Sequence, residues 1–200
     1  MIDCQPDTVL DVFVARQSIF SRNLQAHGYE LLYRGTPGNS FDGTTSDVAT
    51  ARVIANTSLT IGGEKLLDGK IPFINFDSSL LLKYAALLPF PCAVVEILEN
   101  VQPTEDVLAA CQDLKNKGHQ LALDDVESVS SIEPWADIVD IVKVDFLQAD
   151  IQARKDIVAI CKNHKIHSLA EKLETKAEFE EAVVLGYEYF QGYFLHGPQW

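Results

Sequence analysis

The chain has few basic side chains for its size. Its 200 residues contain 16 lysines and arginines against 29 aspartates and glutamates, which gives a formal net charge of −13. Proteins that bind nucleic acid rely on basic surface, so this shortage argues against DNA or RNA duplexes as partners. A phosphate-bearing ligand would need a local cation to offset the acidic background.

Long apolar runs and paired cysteines are also missing. No stretch approaches the roughly 18 apolar residues needed to cross a membrane, and residues 1–11 lack the basic and then apolar pattern of a signal peptide. Cys4, Cys92, Cys111 and Cys161 are widely spaced and form neither a C-x-x-C pair nor a zinc pattern, which indicates reduced and mostly buried thiols. These absences predict a cytoplasmic protein with no membrane partner.

Eight short apolar runs, most of them followed by a helical pattern, are present instead. The predicted strands cover residues 9–15, 29–33, 71–76, 93–98, 120–125, 138–144, 166–170 and 187–191. The predicted helices cover 47–61, 78–87, 104–117, 150–164 and 176–186, and 17–28 is a loop or hairpin. Alternating strands and helices favour a parallel α/β sheet, and eight strands favour a TIM-type (β/α)8 barrel. An open doubly wound sheet is the alternative.

The last predicted strand is followed only by residues 192–200, too few for the helix that should cover it. We therefore expect a single domain over residues 1–200 that lacks the final helix and is the N-terminal part of a longer protein. Large exposed apolar patches are rare in monomers. The uncovered strand, including Tyr189, thus predicts contact with a downstream domain or with a second copy of this chain.

Acidic and amide residues and one lysine stand at or just after the ends of the apolar runs, and two aspartates share one run. They are Glu30, Asn75, Glu96, Asp124, Asp125, Lys143, Glu171 and Gln191. In a barrel of parallel strands these ends meet at one rim, where active sites lie. Five carboxylates would repel one another there unless cations compensated, so the residues predict a site for hard divalent ions such as Mg²⁺, Mn²⁺ or Ca²⁺. Two such ions suit phosphoester hydrolysis.

Three further side chains fit that chemistry. Lys143 offers a fixed positive charge for a phosphate, Arg34 offers a bidentate contact, and Glu171 is a candidate base for the attacking water. Ordinary structural roles stay open for each residue alone: an acidic residue after a strand often caps a helix, Asn75 could begin a turn, and Lys143 with Asp145 could form a surface ion pair. The residues alone indicate a metal-assisted hydrolase or an anion binder.

Taken in order, these residues resemble the motifs of the EAL domain family, barrel enzymes that hydrolyse cyclic di-GMP to the linear dinucleotide pGpG. The matching segments are Arg16-Gln17-Ser18-Ile19 (YQPI), Glu30-Leu31-Leu32-Tyr33-Arg34 (EALxR), Asn75, Glu96-Ile97-Leu98-Glu99 (ExxE), Asp124-Asp125 (DDFG), Lys143-Val144-Asp145 (KxD), Glu171-Lys172-Leu173-Glu174 (EGVE) and Gln191-Gly192-Tyr193 (QGY). They cover nearly the whole chain.

The resemblance implies a role for each residue. Mg²⁺ or Mn²⁺ would be held by Glu30, Asn75, Glu96, Asp124 and Asp125. Lys143 and Glu171 would be catalytic, and cyclic di-GMP would contact Gln17, Arg34, Glu174 and Gln191. The residues in these segments are similar to those of divergent EAL domains that precede an HDOD domain. This resemblance implies a homodimer or a downstream HDOD-like domain as partner.

Departures from the family pattern lower the expected activity. Leu31 replaces the alanine of EAL, Lys172 replaces the glycine of EGVE, and residues 126–131 lack the glycines that follow DDF. Glycine reaches tight backbone conformations at little cost, so we expect the changed loop to misplace the site. The sequence thus predicts weak hydrolysis, with a cyclic di-GMP sensor or a protein-interaction scaffold as the alternative.

Overall fold

A computed structural model describes residues 13–34, 67–84, 88 and 90–196, and in it eight strands close into a barrel. The strands are β1 (Phe13–Ser21), β2 (Ala26–Arg34), β3 (Ile71–Phe76), β4 (Val94–Ile97), β5 (Gln120–Val126), β6 (Ile141–Asp145), β7 (His167–Glu171) and β8 (Tyr189–Phe190). In the described part of the chain the helices are α1 (Ser78–Tyr84), α2 (Glu105–Asn116), α3 (Ile151–His164) and α4 (Lys176–Leu185). The predicted barrel is confirmed, and the predicted helix at 47–61 lies outside the described residues.

The first strand differs from the prediction. A strand at 9–15 and a loop or hairpin at 17–28 were expected. The hairpin alternative is confirmed, but the strand bounds are wrong, because β1 continues to Ser21 and β2 already begins at Ala26. The four residues between them can join only antiparallel neighbours, because a parallel pair needs a crossover of about a dozen residues or more. β1 is accordingly antiparallel to both β2 and β8, while the other strands run parallel.

Side chains of the strands alternate between the barrel interior and the helices outside. One interior layer is apolar and consists of Ile19, Phe73, Val94, Ala122, Ile141 and Leu169. Gly28 belongs to this layer by its register, and a Cβ there would lie 2.6 Å from the Phe73 ring, so glycine makes room for the phenylalanine. Two residues beyond this layer, on the same face of each strand, the polar side chains begin.

Tyr189 and Phe190 show why the expected apolar patch on β8 is wrong. Tyr189 packs against the interior layer, and its ring stacks on His27 with 4.3 Å between centroids. Phe190 points outward but is fully buried, since Phe179 of α4 covers it at 4.9 Å. The strand therefore needs no second chain to cover these two rings, and a partner protein stays a prediction.

The expectation of mostly buried thiols holds for two of the three described cysteines. Cys111 and Cys161 are buried free thiols, and burial raises the pKa of Cys111 to about 11, whereas Cys92 is exposed. Cys4 lies outside the described residues.

None of the helices in the described ranges is long and apolar enough to cross a membrane.

Candidate active site

The carboxyl ends of the strands carry a continuous set of polar side chains, which we call the polar layer. Its members are Glu30, Asn75, Glu96, Asp124, Lys143, Glu171 and Gln191. Each follows an interior position by two residues, as Glu96 follows Val94 and Lys143 follows Ile141. The predicted convergence at one mouth is confirmed, because contacts of 2.5–3.7 Å link these side chains across the barrel.

Lys143 is the centre of the polar layer. Its Nζ lies 2.5 Å from Asp124 Oδ1, 2.7 Å from Glu96 Oε1, 3.2 Å from Glu171 Oε2 and 3.7 Å from Glu30 Oε2. The side chain is only 2% exposed. Burial lowers the pKa of Lys143, but the four carboxylates more than offset this and hold the pKa well above its ordinary value. The ammonium therefore stays charged inside the barrel.

Glu30 is held in its ionised form by amide donors. Asn75 Nδ2 donates to Glu30 Oε1 at 3.0 Å, and Gln191 Nε2 donates to Glu30 Oε2 at 2.5 Å. Burial raises the pKa of Glu30. Lys143 and the two amides lower it by more than burial raises it, so the pKa lies below its ordinary value. Asn75 is a strand residue of β3, so the alternative that it begins a turn is wrong.

The other three carboxyls of the polar layer have raised pKa values when no further cation is present. Burial is the main cause that raises the pKa of Glu96 well above its ordinary value, raises that of Asp124, and brings that of Glu171 to about 8. Several buried oxygens lack a hydrogen-bond partner, among them Asn75 Oδ1, Glu96 Oε2 and Glu171 Oε1. Buried polar atoms normally have partners, so these acceptors mark a place for a ligand or ion.

The donor set fits a hard divalent cation. Asp124, Asp125 and Glu171 each offer an oxygen within 4.8 Å of the others, and the unpartnered oxygens of Asn75 and Glu96 add to them. Oxygen-only donors select Mg²⁺, Mn²⁺ or Ca²⁺ over softer metals. A cation here would favour the charged carboxylates and lower their pKa.

A second lysine, Lys172, lies beside the polar layer and pairs with two aspartates. Lys172 Nζ donates to Asp125 Oδ1 and, at 2.6 Å, to Asp145 Oδ2. Asp145 is buried, and its Oδ1 accepts from the backbone N–H of Leu147 at 2.7 Å and of Gln148 at 3.1 Å. The alternative of a surface ion pair between Lys143 and Asp145 is therefore wrong, because both are buried and pair elsewhere.

Asp145 was missed as a site residue. The signal for it is in the sequence, since it follows Lys143 by the same two-residue step that places the polar layer inside the barrel. Its neighbour Lys172 was noted only as a replaced glycine, and no sequence pattern shows its contact with Asp125.

The backbone is unusual at two points of the site. Asp125 and Lys172 have φ of 49° and 59°, the left-handed region that glycine prefers. The loop at 126–131, by contrast, contains no positive φ: Ser128 is extended at φ −150°, and Val126 is buried as the last residue of β5. The lost glycines therefore leave no strain in this loop.

The predicted substrate-binding residues are spread around the mouth. Gln17 pairs with Glu30 across β1 and β2, and Gln191 is part of the polar layer. Glu174 is exposed and begins the turn into α4, where its N–H donates to Glu178 Oε2 at 2.8 Å. Arg34 ends β2, and its side chain lies outside the described residues.

A cleft of about 620 Å³ opens beside Asp125 and Asp145. Its other lining groups include the carboxyls of Glu99, Glu127 and Asp150. Such a lining repels an anionic ligand, so a phosphate could approach from this side only with a cation between it and the carboxylates.

The chain is similar to known proteins over most of its length. The sequence model of the EAL domain matches residues 45–198. The chain is 39% identical over 194 residues to the uncharacterized protein YuxH of Bacillus subtilis, and 36% identical over 197 residues to the cyclic di-GMP phosphodiesterase CdgJ of Vibrio cholerae. These alignments cover 94% and 96% of this chain but 47% and 46% of the relatives, so the chain spans about half their length.

Solved structures share the barrel. The Bacillus subtilis YkuI protein with an EAL domain, in complex with substrate c-di-GMP and calcium, superposes with a TM-score of 0.73 at 20% identity, covering 92% of this chain and 53% of that one. A standalone EAL protein of Vibrio cholerae in its c-di-GMP bound form gives 0.68 at 23% identity, with 92% and 91% covered. At these identities the likeness establishes the fold. The match of the family model over residues 45–198 shows that this chain belongs to the EAL domain family.

Proposed function

We propose that this protein hydrolyses cyclic di-GMP to pGpG in a reaction that depends on Mg²⁺ or Mn²⁺ and turns over slowly. The observation that carries the proposal is the buried polar layer, in which one lysine lies among four carboxylates and several oxygens have no partner. The relative CdgJ is named as a cyclic di-GMP phosphodiesterase, and related EAL structures hold this dinucleotide.

The cation site comprises Glu30, Asn75, Glu96, Asp124 and Asp125. A bound divalent cation supplies a lowered pKa for an attacking water and offsets charge on the phosphate oxygens. We further propose that Gln17, Arg34, Glu174 and Gln191 contact the nucleotide.

Glu171 is the proposed base. Its Oε1 has no hydrogen-bond partner, while its Oε2 lies 3.2 Å from Lys143 Nζ. The lysine therefore orients the carboxyl group, and its ionised form, which a bound cation would favour, has one oxygen left to accept a proton from water. Lys143 also keeps a positive charge in the barrel mouth, where the charge of a phosphate develops.

A second candidate function is a sensor that binds cyclic di-GMP without hydrolysis. The observation in its favour is the contact of Lys172 with Asp125, because it uses a carboxylate oxygen that the cation site would need. A homodimer or a downstream HDOD-like domain would then carry the signal, and both remain proposals.

The two functions separate in one experiment. The protein is incubated with cyclic di-GMP and Mn²⁺, pGpG is followed by chromatography, and binding is measured by calorimetry. We expect slow product formation that is lost with a chelator and in Glu30→Ala but retained in Glu180→Ala, which removes an exposed carboxylate. Binding without product above Glu30→Ala would establish the sensor instead. Neither binding nor product would refute both functions.

A further inference from the structure

Lys172 places its ammonium where a metal ion could otherwise bind. Its Nζ contacts carboxylate oxygens of two separate strands, Asp125 on β5 and Asp145 on β6. Asp145 cannot turn away easily, since two backbone N–H groups hold its other oxygen. The lysine thus bridges two carboxylates, one of which belongs to the acidic trio Asp124, Asp125 and Glu171.

From this geometry we infer that the site accepts one divalent cation per chain instead of two, because the Lys172 ammonium is a tethered cation at the second position. The inference rests on the proposed cation site. The first position, among Glu30, Asn75, Glu96 and Asp124, also has an ammonium beside it, that of Lys143, at 2.7 Å from Glu96 Oε1 and 2.5 Å from Asp124 Oδ1. It still keeps two buried oxygens without a partner, Asn75 Oδ1 and Glu96 Oε2, which a cation can use. The second position, at Asp125, already has a positive charge within hydrogen-bond distance, and a divalent ion would have to displace it.

The backbone of Lys172 is unusual as well. A lysine at φ 59° is strained, and strained residues persist where their surroundings hold them in place, most often at functional sites. Lys172 combines this backbone conformation with ion pairs to Asp125 and Asp145. Asp125 also has a positive φ, so both partners of the ion pair lie in the left-handed region.

Counting bound Mn²⁺ tests the inference without any measurement of activity. Mn²⁺ is titrated into the protein without nucleotide, and binding is followed by calorimetry and electron paramagnetic resonance. Two Mn²⁺ ions about 3.5–4 Å apart, the spacing of two-metal sites, are magnetically coupled, whereas an isolated ion gives a six-line spectrum. The coupling also distinguishes adjacent ions from weak surface binding, which a chain of charge −13 will show.

The decisive variant is Lys172→Gly, which removes the whole side chain. A second variant, Lys172→Gln, removes the charge but keeps a side chain. Lys165→Gly is a matched control, because Lys165 is also a lysine with positive φ, at 61°, but ends helix α3. We expect about one strong Mn²⁺ with an isolated spectrum in the unaltered protein and in Lys165→Gly. Both Lys172 variants should bind about two, with a coupled spectrum.

The remaining outcomes overturn the inference in different ways. Two coupled ions in the unaltered protein would show that Lys172 does not occupy the second position, and the proposed function would stand. One ion in both Lys172 variants would show that another feature limits the site. No Mn²⁺ in any variant would refute the cation site itself, and with it the proposed hydrolysis.

Discussion

Replacing Glu171 by glutamine should stabilise the metal-free protein at pH 8 and have little effect at pH 5. In the folded protein Glu171 is buried, which raises its pKa from 4.5 to about 8. Glutamine resembles the protonated carboxyl in size and polarity but cannot ionise. The variant therefore removes one source of pH dependence while leaving the packing of the polar layer nearly unchanged.

The direction of the pH dependence follows from which state, folded or unfolded, binds the Glu171 proton. Between pH 4.5 and about 8 the folded state keeps the Glu171 proton and the unfolded chain releases it, so the folded state binds more protons. The free energy of unfolding must then fall as the pH rises through this range. Each tenfold change in proton affinity is worth about 1.4 kcal/mol, so the advantage of Glu171→Gln should grow by about 3–4 kcal/mol between pH 5 and pH 8.

Urea unfolding with a chelator present, at several pH values, measures this difference. In thermal unfolding under the same conditions, the melting temperatures of a chain of this size should separate by about 10 °C at pH 8. Added Mn²⁺ should narrow the gap, since the cation favours the charged carboxylate of the unaltered protein. The control is Glu180→Gln, an exposed carboxylate for which we expect no such trend. Parallel stability profiles for Glu171→Gln and the unaltered protein would refute the reasoning.

Two further substitutions test the interior of the barrel. Lys143→Met leaves the surrounding carboxylates without a counter-ion and should cost about 3–5 kcal/mol in chelator at pH 7, measured by urea unfolding. Lys176→Met, in an exposed ion pair, should cost less than about 1 kcal/mol, and equal losses would contradict the central role of Lys143. Gly28→Ala places a methyl group 2.6 Å from the Phe73 ring and should cost about 1–3 kcal/mol. Adding Phe73→Leu should recover part of that loss in a double-mutant cycle, and strict additivity would show that the two positions do not compete for space.

The polar layer was predictable because two regular patterns coincide. A strand alternates its side chains with a period of two, and parallel strands in a barrel end at the same rim. Glu96 and Lys143 therefore follow buried residues by a fixed step, and their convergence needs no knowledge of loops. The barrel itself follows from the number and order of the runs.

The first strand was not predictable by the same means. β1 contains Arg16, Gln17 and Ser18, which interrupt the apolar pattern and resemble a loop. In the barrel these residues are near the mouth, where Gln17 lies opposite Glu30, so their polarity reflects the site rather than a lack of structure. The antiparallel direction depends on the short turn at 22–25, which the hairpin alternative for 17–28 allowed but did not locate.

The contacts of Lys172 depend on three-dimensional details that spacing does not contain. Its partners Asp125 and Asp145 are 47 and 27 residues away in sequence. The contact requires a positive φ at a lysine, which propensities disfavour. A replaced glycine is visible in the sequence, but the place where the new side chain binds is not.

The pairing of β1 with β8 has a consequence for folding during synthesis. Glu30 and Gln191 are hydrogen-bonded across 161 residues, and β1 pairs with β8 through Phe20 and Ser21. Contacts of such sequence separation form late, because the chain must lose the entropy of a long loop before it gains them. While the chain is still on the ribosome, β1 has an open edge, and open edges favour association with other chains. Pairing of β8 with β1 closes that edge and adds the Gln191 hydrogen bond to Glu30, so a chain without β8 is exposed to aggregation and lacks part of the polar layer.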